Sequence, residues 1–397
     1  MQLTRKQEEG LREAINRYRA RQKYTVISGY AGSGKSTLVK FIVQALADYG
    51  IDPELDVAYC AFTGKAAQVL INKGNSNAVT AHKLMYEAYP KKDGTFSFRK
   101  KLMLEYKVVI VDECSMLPKS MADTLLSYPG IYVIFCGDPG QLPPINKTED
   151  NHLLDHPHVF LDEVMRQAQD SGIIQLSMLI REGKDITGFK SSDAMILPKS
   201  ALNTGMLEWG GQILCATNAT RNALNMQCRQ LKGYIKPVEE GEKCIILANR
   251  WDTSSNKGNA LTNGCTGILS EIFEQSWHYP SFMGIEGNQV PLITANFTTF
   301  EGDTFSNLSF DKKLLLEGKK TLTPQQEYRV RKNKRTADLV PYELAYGYAI
   351  TTHKAQGSEW SKVLVVEERF PFDKQEHTQW LYTAVTRSSS RLVLIKE

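Results

Sequence analysis

The sequence predicts an α/β protein with two parallel-sheet units, the second interrupted by a small β insertion. Three observations carry that expectation. Short apolar, β-branched runs recur at residues 25–28, 57–62, 108–111 and 131–136, each followed by a turn and a stretch of helical texture. Alternation of this kind builds βαβ units and buries a parallel sheet on both faces. A second set, at 213–216, 363–366 and 392–395, is split by about 150 residues of different character. Within that gap, residues 238–335 carry strand-like pieces at 243–247, 267–272 and 290–297 and an Asn263-Gly264 turn, which suit a small β barrel or sheet. A chain of 397 residues also exceeds one ordinary core, so several packed domains are expected.

Composition narrows the class. With 42% hydrophobic and 23% charged residues the chain reads as soluble and globular. No run approaches the roughly 18 to 20 apolar residues that span a bilayer, and the amino terminus is charged helix rather than an apolar signal. A cytoplasmic protein without membrane contact is the expectation. The seven cysteines, at 60, 114, 136, 215, 228, 244 and 265, form no CxxC pair and no zinc spacing with histidine. They read as small buried apolar residues in a reducing compartment. The net charge of +4 is too small to imply nucleic-acid binding by itself, though local basic runs at Lys91 and Lys92, at 99–101 and at 329–335 leave room for a positive groove.

The first strand runs into Gly29-Tyr30-Ala31-Gly32-Ser33-Gly34-Lys35-Ser36, a GxxxxGK[ST] loop that opens a helix beginning near Thr37. Glycines let backbone N–H groups wrap phosphates, the helix N-terminus adds its dipole, Lys35 reaches the β and γ phosphates and Ser36 ligates magnesium. The strand at 108–111 ends in Asp112-Glu113, where Asp112 fits the magnesium position and Glu113 the base that activates water. A third strand ends at Gly137-Asp138-Pro139-Gly140-Gln141, which makes Gln141 a γ-phosphate sensor in prospect. Thr4-Arg5-Lys6-Gln7 is a capping box in which Gln7 bonds back to the backbone; adenine recognition by the same amide is the functional alternative. Between residues 88 and 101, a Lys92-Asp93-Gly94-Thr95 turn flanked by Phe96 and Phe98 predicts an inserted hairpin.

In chain order the sequence then presents Ala61-Phe62-Thr63-Gly64-Lys65-Ala66-Ala67, Thr80-Ala81-His82, Asp112-Glu113-Cys114-Ser115-Met116, and Gly137 through Pro143-Pro144. Beyond them come Leu161-Asp162-Glu163-Val164-Met165-Arg166-Gln167, Thr351-Thr352-His353-Lys354-Ala355-Gln356-Gly357-Ser358-Glu359 and Leu381-Tyr382-Thr383-Ala384-Val385-Thr386-Arg387. With the phosphate loop, this series resembles the helicase motifs of the RecD and Dda branch of superfamily 1, over both α/β units. The resemblance implies two RecA-like motor domains, 1A at 1–165 and 2A at 166–237 with 336–397. It implies a hairpin domain 1B at about 88–101 and an SH3-like β domain 2B at 238–335.

The same resemblance implies site roles. Gln7 becomes an adenine contact, and Gly357 joins Gly29, Ala31 and the rest of the phosphate loop in binding nucleotide. Arg166 and Arg387 send guanidinium groups to the γ phosphate, the arginine-finger logic in cis. Thr63, Lys65, Thr80 and His82 in one motor domain, and Thr351, His353 and Lys354 in the other, hold the single-strand backbone. Phe96 and Phe98 tip a pin that splits base pairs. Met165 departs from the family where an aromatic is common, as does the serine run at 388–390. The implied activity is ATP- and magnesium-dependent unwinding of duplex DNA with 5′ to 3′ movement. A nucleic-acid-stimulated translocase without unwinding, and a P-loop phosphotransferase, are the alternatives. The expected partners are single-stranded DNA and its junctions with duplex, with a single-strand-binding or replication protein as a further candidate. A monomer is expected, and the compact chain suits a phage-encoded replication or recombination helicase.

Overall fold

The computed structural model describes residues 3–90, 96–143, 147–165, 169–333, 335–336, 338–369 and 373–397. The chain divides into two compact units. One comprises Met1–Met85, Lys101–Arg221 and Ile350–Glu397; the other comprises Tyr86–Lys100 and Asn222–Ala349.

Numbered along the chain, strands β1 (Tyr24–Gly29), β2 (Val57–Ala61) and β3 (Val79–Thr80) precede the hairpin strands β4 (Tyr86–Pro90) and β5 (Phe96–Lys100). Then come β6 (Val108–Asp112), β7 (Tyr132–Gly137) and β8 (Val159–Leu161). Apart from the hairpin, these form a six-stranded sheet in the order β3-β2-β6-β7-β1-β8, with every pairing parallel. Apolar runs such as Val108-Val109-Ile110-Val111 are buried along their whole length, as a sheet covered on both faces requires. Val57, Ile110 and Ile134 share one core with Leu38 and Ile42 of the helix Lys35–Leu46 and with Ala14 of the helix Arg5–Arg19. That first helix begins with the expected capping box between Thr4 and Gln7. It approaches the sheet closely at Gly10, where a Cβ would lie 2.6 Å from Val159 Cγ1.

The second sheet of this unit comprises β9 (Ala194–Pro198), β10 (Gln212–Cys215) and, after the insertion, β18 (Ala349–Thr351), β19 (Trp360–Val366) and β20 (Ser388–Lys396). Its order is β18-β10-β19-β20-β9. The helix Lys374–Val385 leads into β20, so Thr386 and Arg387 occupy the corner between them.

In the other unit, β11 (Lys243–Ile246), β14 (Thr266–His278), β15 (Gln289–Thr299), β16 (Thr304–Asp311) and β17 (Leu344–Tyr346) form an antiparallel sheet in the order β16-β15-β14-β11-β17. Strands β12 (Arg250–Ser254) and β13 (Ala260–Leu261) pair separately. Tyr342, two residues before β17, exchanges backbone hydrogen bonds of 2.8 and 3.0 Å with Ser309 and Asp311 of β16. The pairings therefore return to their start, as in a small barrel. Because β17 pairs with β11, this sheet runs past residue 335, the boundary expected from sequence. Tyr279 is buried and Trp277 partly so, both as core residues; the Trp251 side chain lies outside those described.

None of the seven cysteines forms a disulfide, and six are buried. Burial, with the Asp112 charge second, pushes the Cys60 thiol up to about 12, which leaves it inert at neutral pH. Among the described residues no helix is long and apolar enough to cross a membrane.

Candidate active site

Strand order assembles the site. β7 lies between β6 and β1, so the phosphate loop after β1, Asp112-Glu113 at the end of β6 and the 138–141 turn after β7 open side by side at the carboxyl ends of the sheet. In the loop, Gly32 and Gly34 adopt left-handed φ values of 75° and 81°, which glycine accepts without a Cβ clash. Lys35 Nζ donates to the carbonyls of Gly29 at 2.6 Å and Tyr30 at 3.0 Å. The Ser33 hydroxyl is buried with no hydrogen-bond partner among the described residues, as befits a donor reserved for a ligand oxygen.

Gln7 is fully buried and serves both structures at once. Its Oε1 accepts from the Thr4 N–H at 3.0 Å, completing the capping box, and its Nε2 donates to the Gly34 carbonyl at 3.3 Å. A Cβ on Gly34 would stand 2.3 Å from that nitrogen, so the loop glycine is also what admits the glutamine.

Asp112 has its pKa raised, first by burial and then by the neighbouring Glu113 charge, with Lys35 opposing. Its carboxylate and the Ser36 hydroxyl are hard oxygen donors. Among the described residues no cluster of three His, Cys, Asp or Glu could hold an ion on protein ligands alone. Such a sparse donor set fits magnesium carried mainly by phosphates and water.

Glu113 sits at φ 50° and ψ 46°, left-handed for a residue with a side chain. This departure from strand geometry turns its carboxylate toward the second sheet. Arg387 Nη1 lies 3.8 Å from Glu113 Oε1, and Gln141 bridges the two: with its amide nitrogen toward Glu113 Oε2 and its oxygen toward Arg387 Nη2, both contacts are 3.1 Å. Arg387 is itself nearly buried, donating to the Thr383 carbonyl at 3.1 Å and the Ser358 carbonyl at 3.4 Å. The structure therefore brings together Lys35, Asp112, Glu113, Gln141 and Arg387. Arg166 lies outside the described residues; its neighbour Met165 donates its N–H to the Gly32 carbonyl at 2.9 Å.

Residues that sequence reasoning left unassigned complete the junction. The Tyr382 hydroxyl accepts from the Ala31 N–H at 2.8 Å and donates to Asp138 Oδ2 at 2.7 Å. Asp138 Oδ1 accepts from the Gly140 N–H at 2.9 Å, fixing the turn that presents Gln141. Gln356 donates to the Leu142 carbonyl and Thr383 accepts from the Leu142 N–H, at 2.8 and 2.9 Å. The Arg181 guanidinium stacks 3.6 Å over the Tyr30 ring, beside a cleft of about 460 Å³ that Tyr382, Gly140 and Lys374 also line. Tyr382 and Asp138 lay inside quoted motifs, which was the available signal; Arg181 had none.

Of the predicted strand-contacting residues, Thr63 and Thr80 cap short helices. Thr63 Oγ1 accepts from the Ala66 N–H at 3.1 Å, and Thr80 Oγ1 from the Lys83 N–H at 3.2 Å. Lys65 is in the first turn of the helix Gly64–Asn72. Thr351 precedes the helix Thr352–Ala355, which carries His353 and Lys354. Gly357, at φ 72°, lies against this first set rather than alone in a loop: a Cβ there would be 2.8 Å from Ala66 Cβ and 3.1 Å from Thr63 Oγ1. Burial lowers the pKa of His82 and His353 from 6.5, so both imidazoles are neutral at pH 7 and offer an N–H rather than a charge. In the hairpin, β4 pairs with β5 from Tyr86↔Lys100 to Pro90↔Phe96, and Phe98 is exposed. The Phe96 side chain and the 92–95 turn lie outside the described residues.

Known proteins share sequence and fold with this chain. Residues 2–195 match the AAA domain family and residues 346–395 the UvrD-like helicase C-terminal domain. The chain is 30% identical over 389 residues to the ATP-dependent RecD2 DNA helicase of Deinococcus radiodurans, covering 94% of this chain and 47% of that protein. It is 26% identical over 200 residues to the ATP-dependent DNA helicase Dda of Enterobacteria phage T4, covering 46% of this chain and 43% of that one. It thus spans about half the length of the curated relatives it matches. The crystal structure of Pif1 helicase from Bacteroides in complex with ADP-AlF3 and ssDNA has the same fold, with a TM-score of 0.53 at 18% identity over 99% of this chain and 92% of that one. In sequence the chain is thus similar to the RecD2 and Dda helicases, and it shares its fold with Pif1 helicase.

Proposed function

We propose that the chain is an ATP-dependent DNA helicase that moves 5′ to 3′ on single-stranded DNA and separates duplex, working as a monomer in a bacterial or phage-infected cytoplasm. The observation that carries this reading is the Glu113–Gln141–Arg387 contact, in which the two sheets of one unit meet at a hydrolytic carboxylate. Ser36 and Asp112 would hold magnesium, which supplies charge neutralisation at the phosphates. Lys35 exchanges its loop carbonyls for the β and γ phosphate oxygens, and Gln7 meets adenine. Glu113 takes the proton of the attacking water, Gln141 orients that water, and Arg387, with Arg166, stabilises charge on the γ phosphate. Thr63, Lys65, Thr80 and His82 grip the strand in alternation with Thr351, His353 and Lys354. Because Gly357 sits against Thr63 and Ala66, closure at the nucleotide would alter both grips together.

Direction is tested with tailed duplexes. A substrate with a 5′ single-stranded tail should open with ATP and magnesium while one with only a 3′ tail stays closed. Opening of the 3′-tailed substrate alone would reverse the polarity and leave the helicase reading intact; absence of any single-strand-stimulated ATP turnover would end that reading. An RNA tail in parallel reports sugar preference.

The hairpin supplies a second test. Replacing residues 91–99 by a short Gly-Ser turn should leave single-strand-stimulated ATP turnover within about twofold, a change of roughly 0.4 kcal/mol in barrier, while duplex separation drops. Undiminished strand displacement would show that the β4–β5 hairpin is an ordinary surface ribbon.

A further inference from the structure

The insertion between β16 and β17 concentrates positive charge. Residues 312–335 hold nine of the 48 Lys and Arg and two of the 44 Asp and Glu, so the rest of the chain carries three more acidic than basic residues. Residues 312–333 of this segment are folded. The helix Pro324–Lys332 starts with a capping box between Thr323 and Gln326, and its Val330, with Leu322, is buried against Tyr279, Met283, Ile285 and Leu292 at the tip of the β14–β15 ribbon. Gln326 Nε2 also donates to the Gly284 carbonyl at 2.5 Å.

Seated this way, helix and ribbon tip present two aromatic rings to solvent. Phe282 is 67% exposed and Tyr328 56% exposed. Lys332 Nζ stands 5.9 Å from the centroid of the Tyr328 ring, and a Cβ on Gly284 would be 3.5 Å from Arg329 Nη1, which puts Arg329 beside the ribbon tip. Three other cations of the segment are committed: Lys312 pairs with Glu274, Lys320 with Glu343 and Arg331 with Glu327. Arg329 and Lys332 have no acidic partner within 4 Å among the described residues. Exposed rings beside cations free of carboxylates match a flexible polyanion with unpaired bases. A stacked duplex would offer phosphates to the cations but no base face to the rings.

We infer that Phe282, Tyr328, Arg329 and Lys332 form a second single-stranded DNA surface, outside the motor, that stacks on bases and meets phosphates. The inference rests on the helicase reading, and its test separates the two. Binding of oligothymidylates to the full chain is measured by fluorescence anisotropy across a salt series, with a strand long enough to pass beyond the motor and one that only fills it. The double variant Arg329→Gln with Lys332→Gln should weaken long-strand binding. It should reduce the slope of log affinity against log salt by about 1.4, roughly 0.7 for each phosphate no longer neutralised. The double variant Phe282→Ser with Tyr328→Ser should weaken long-strand binding about tenfold with the slope unchanged. Short-strand binding and maximal DNA-stimulated turnover should stay at the parent level in both, which also verifies folding. Parent-like long-strand affinity in both variants overturns the surface while leaving the helicase intact. A weakening seen equally on blunt duplex overturns its assignment to single strands. A parent chain that binds no single strand removes the helicase reading and this surface with it.

Discussion

Glu113→Gln should still bind ATP yet turn it over about a thousandfold more slowly, equivalent to about 4 kcal/mol in barrier. The substitution keeps shape and hydrogen-bonding reach but cannot accept a proton. What singles out Glu113 is its backbone as much as its place after Asp112. A left-handed conformation in a residue with a side chain costs on the order of 1 kcal/mol or more and persists only where the surroundings over-determine it. Here the strand β6 ends at Asp112, the residue proposed to hold magnesium, and the reversal at Glu113 aims the next carboxylate toward Gln141 and Arg387. Equilibrium binding of a fluorescent ATP analogue and single-strand-stimulated phosphate release are the two measurements. Turnover within tenfold of the parent, with analogue binding unchanged, would remove Glu113 from the role of base.

How much of this was legible in the sequence depended on what held each part together. The strands β1, β6 and β7 were readable because each is a buried run of β-branched residues long enough to leave a pattern. β3, β8 and β18, of two or three residues each, exist only because a neighbouring strand offers a free edge, and that edge is invisible locally. The capping box at Thr4 and Gln7 was legible and forms. The second use of the same glutamine, on the Gly34 carbonyl, depends on a glycine 27 positions away. The same limit hid the Tyr382 bridge: its partners Ala31 and Asp138 lie 351 and 244 residues away in sequence. In the insertion, β14 and β15 alternate buried and exposed positions only in part, so their continuation beyond 272 and before 290 was not readable. The basic run at 329–335 was readable as charge, but that Arg329, Arg331 and Lys332 end a helix fixed to a ribbon tip was not.

Arg387→Ala should lower ATP turnover by about a thousandfold or more, the range seen when an arginine finger is removed, while single-strand binding without nucleotide stays nearly intact. The guanidinium is nearly buried, and three kinds of contact fix it: carbonyls of Thr383 and Ser358 on its own side, the Gln141 amide, and the Glu113 carboxylate at 3.8 Å across the junction. At 3.8 Å this is a loose ion pair, which leaves the guanidinium able to turn toward a phosphate oxygen when one is present. Alanine removes the charge and leaves Gln141 with only its Glu113 contact, so both stabilisation of the γ phosphate and orientation of the water should suffer. Arg387→Lys separates these effects. It restores charge but not the planar fork, and should recover only a small part of the rate because a single ammonium cannot reach the Gln141 oxygen and a phosphate together. Thermal melting in the absence of nucleotide checks that removing the hydrogen bonds to the two carbonyls has not unfolded the corner before β20. DNA-stimulated turnover of the alanine variant within tenfold of the parent, at an unchanged melting temperature, would place Arg387 outside the catalytic set and leave its contacts purely structural.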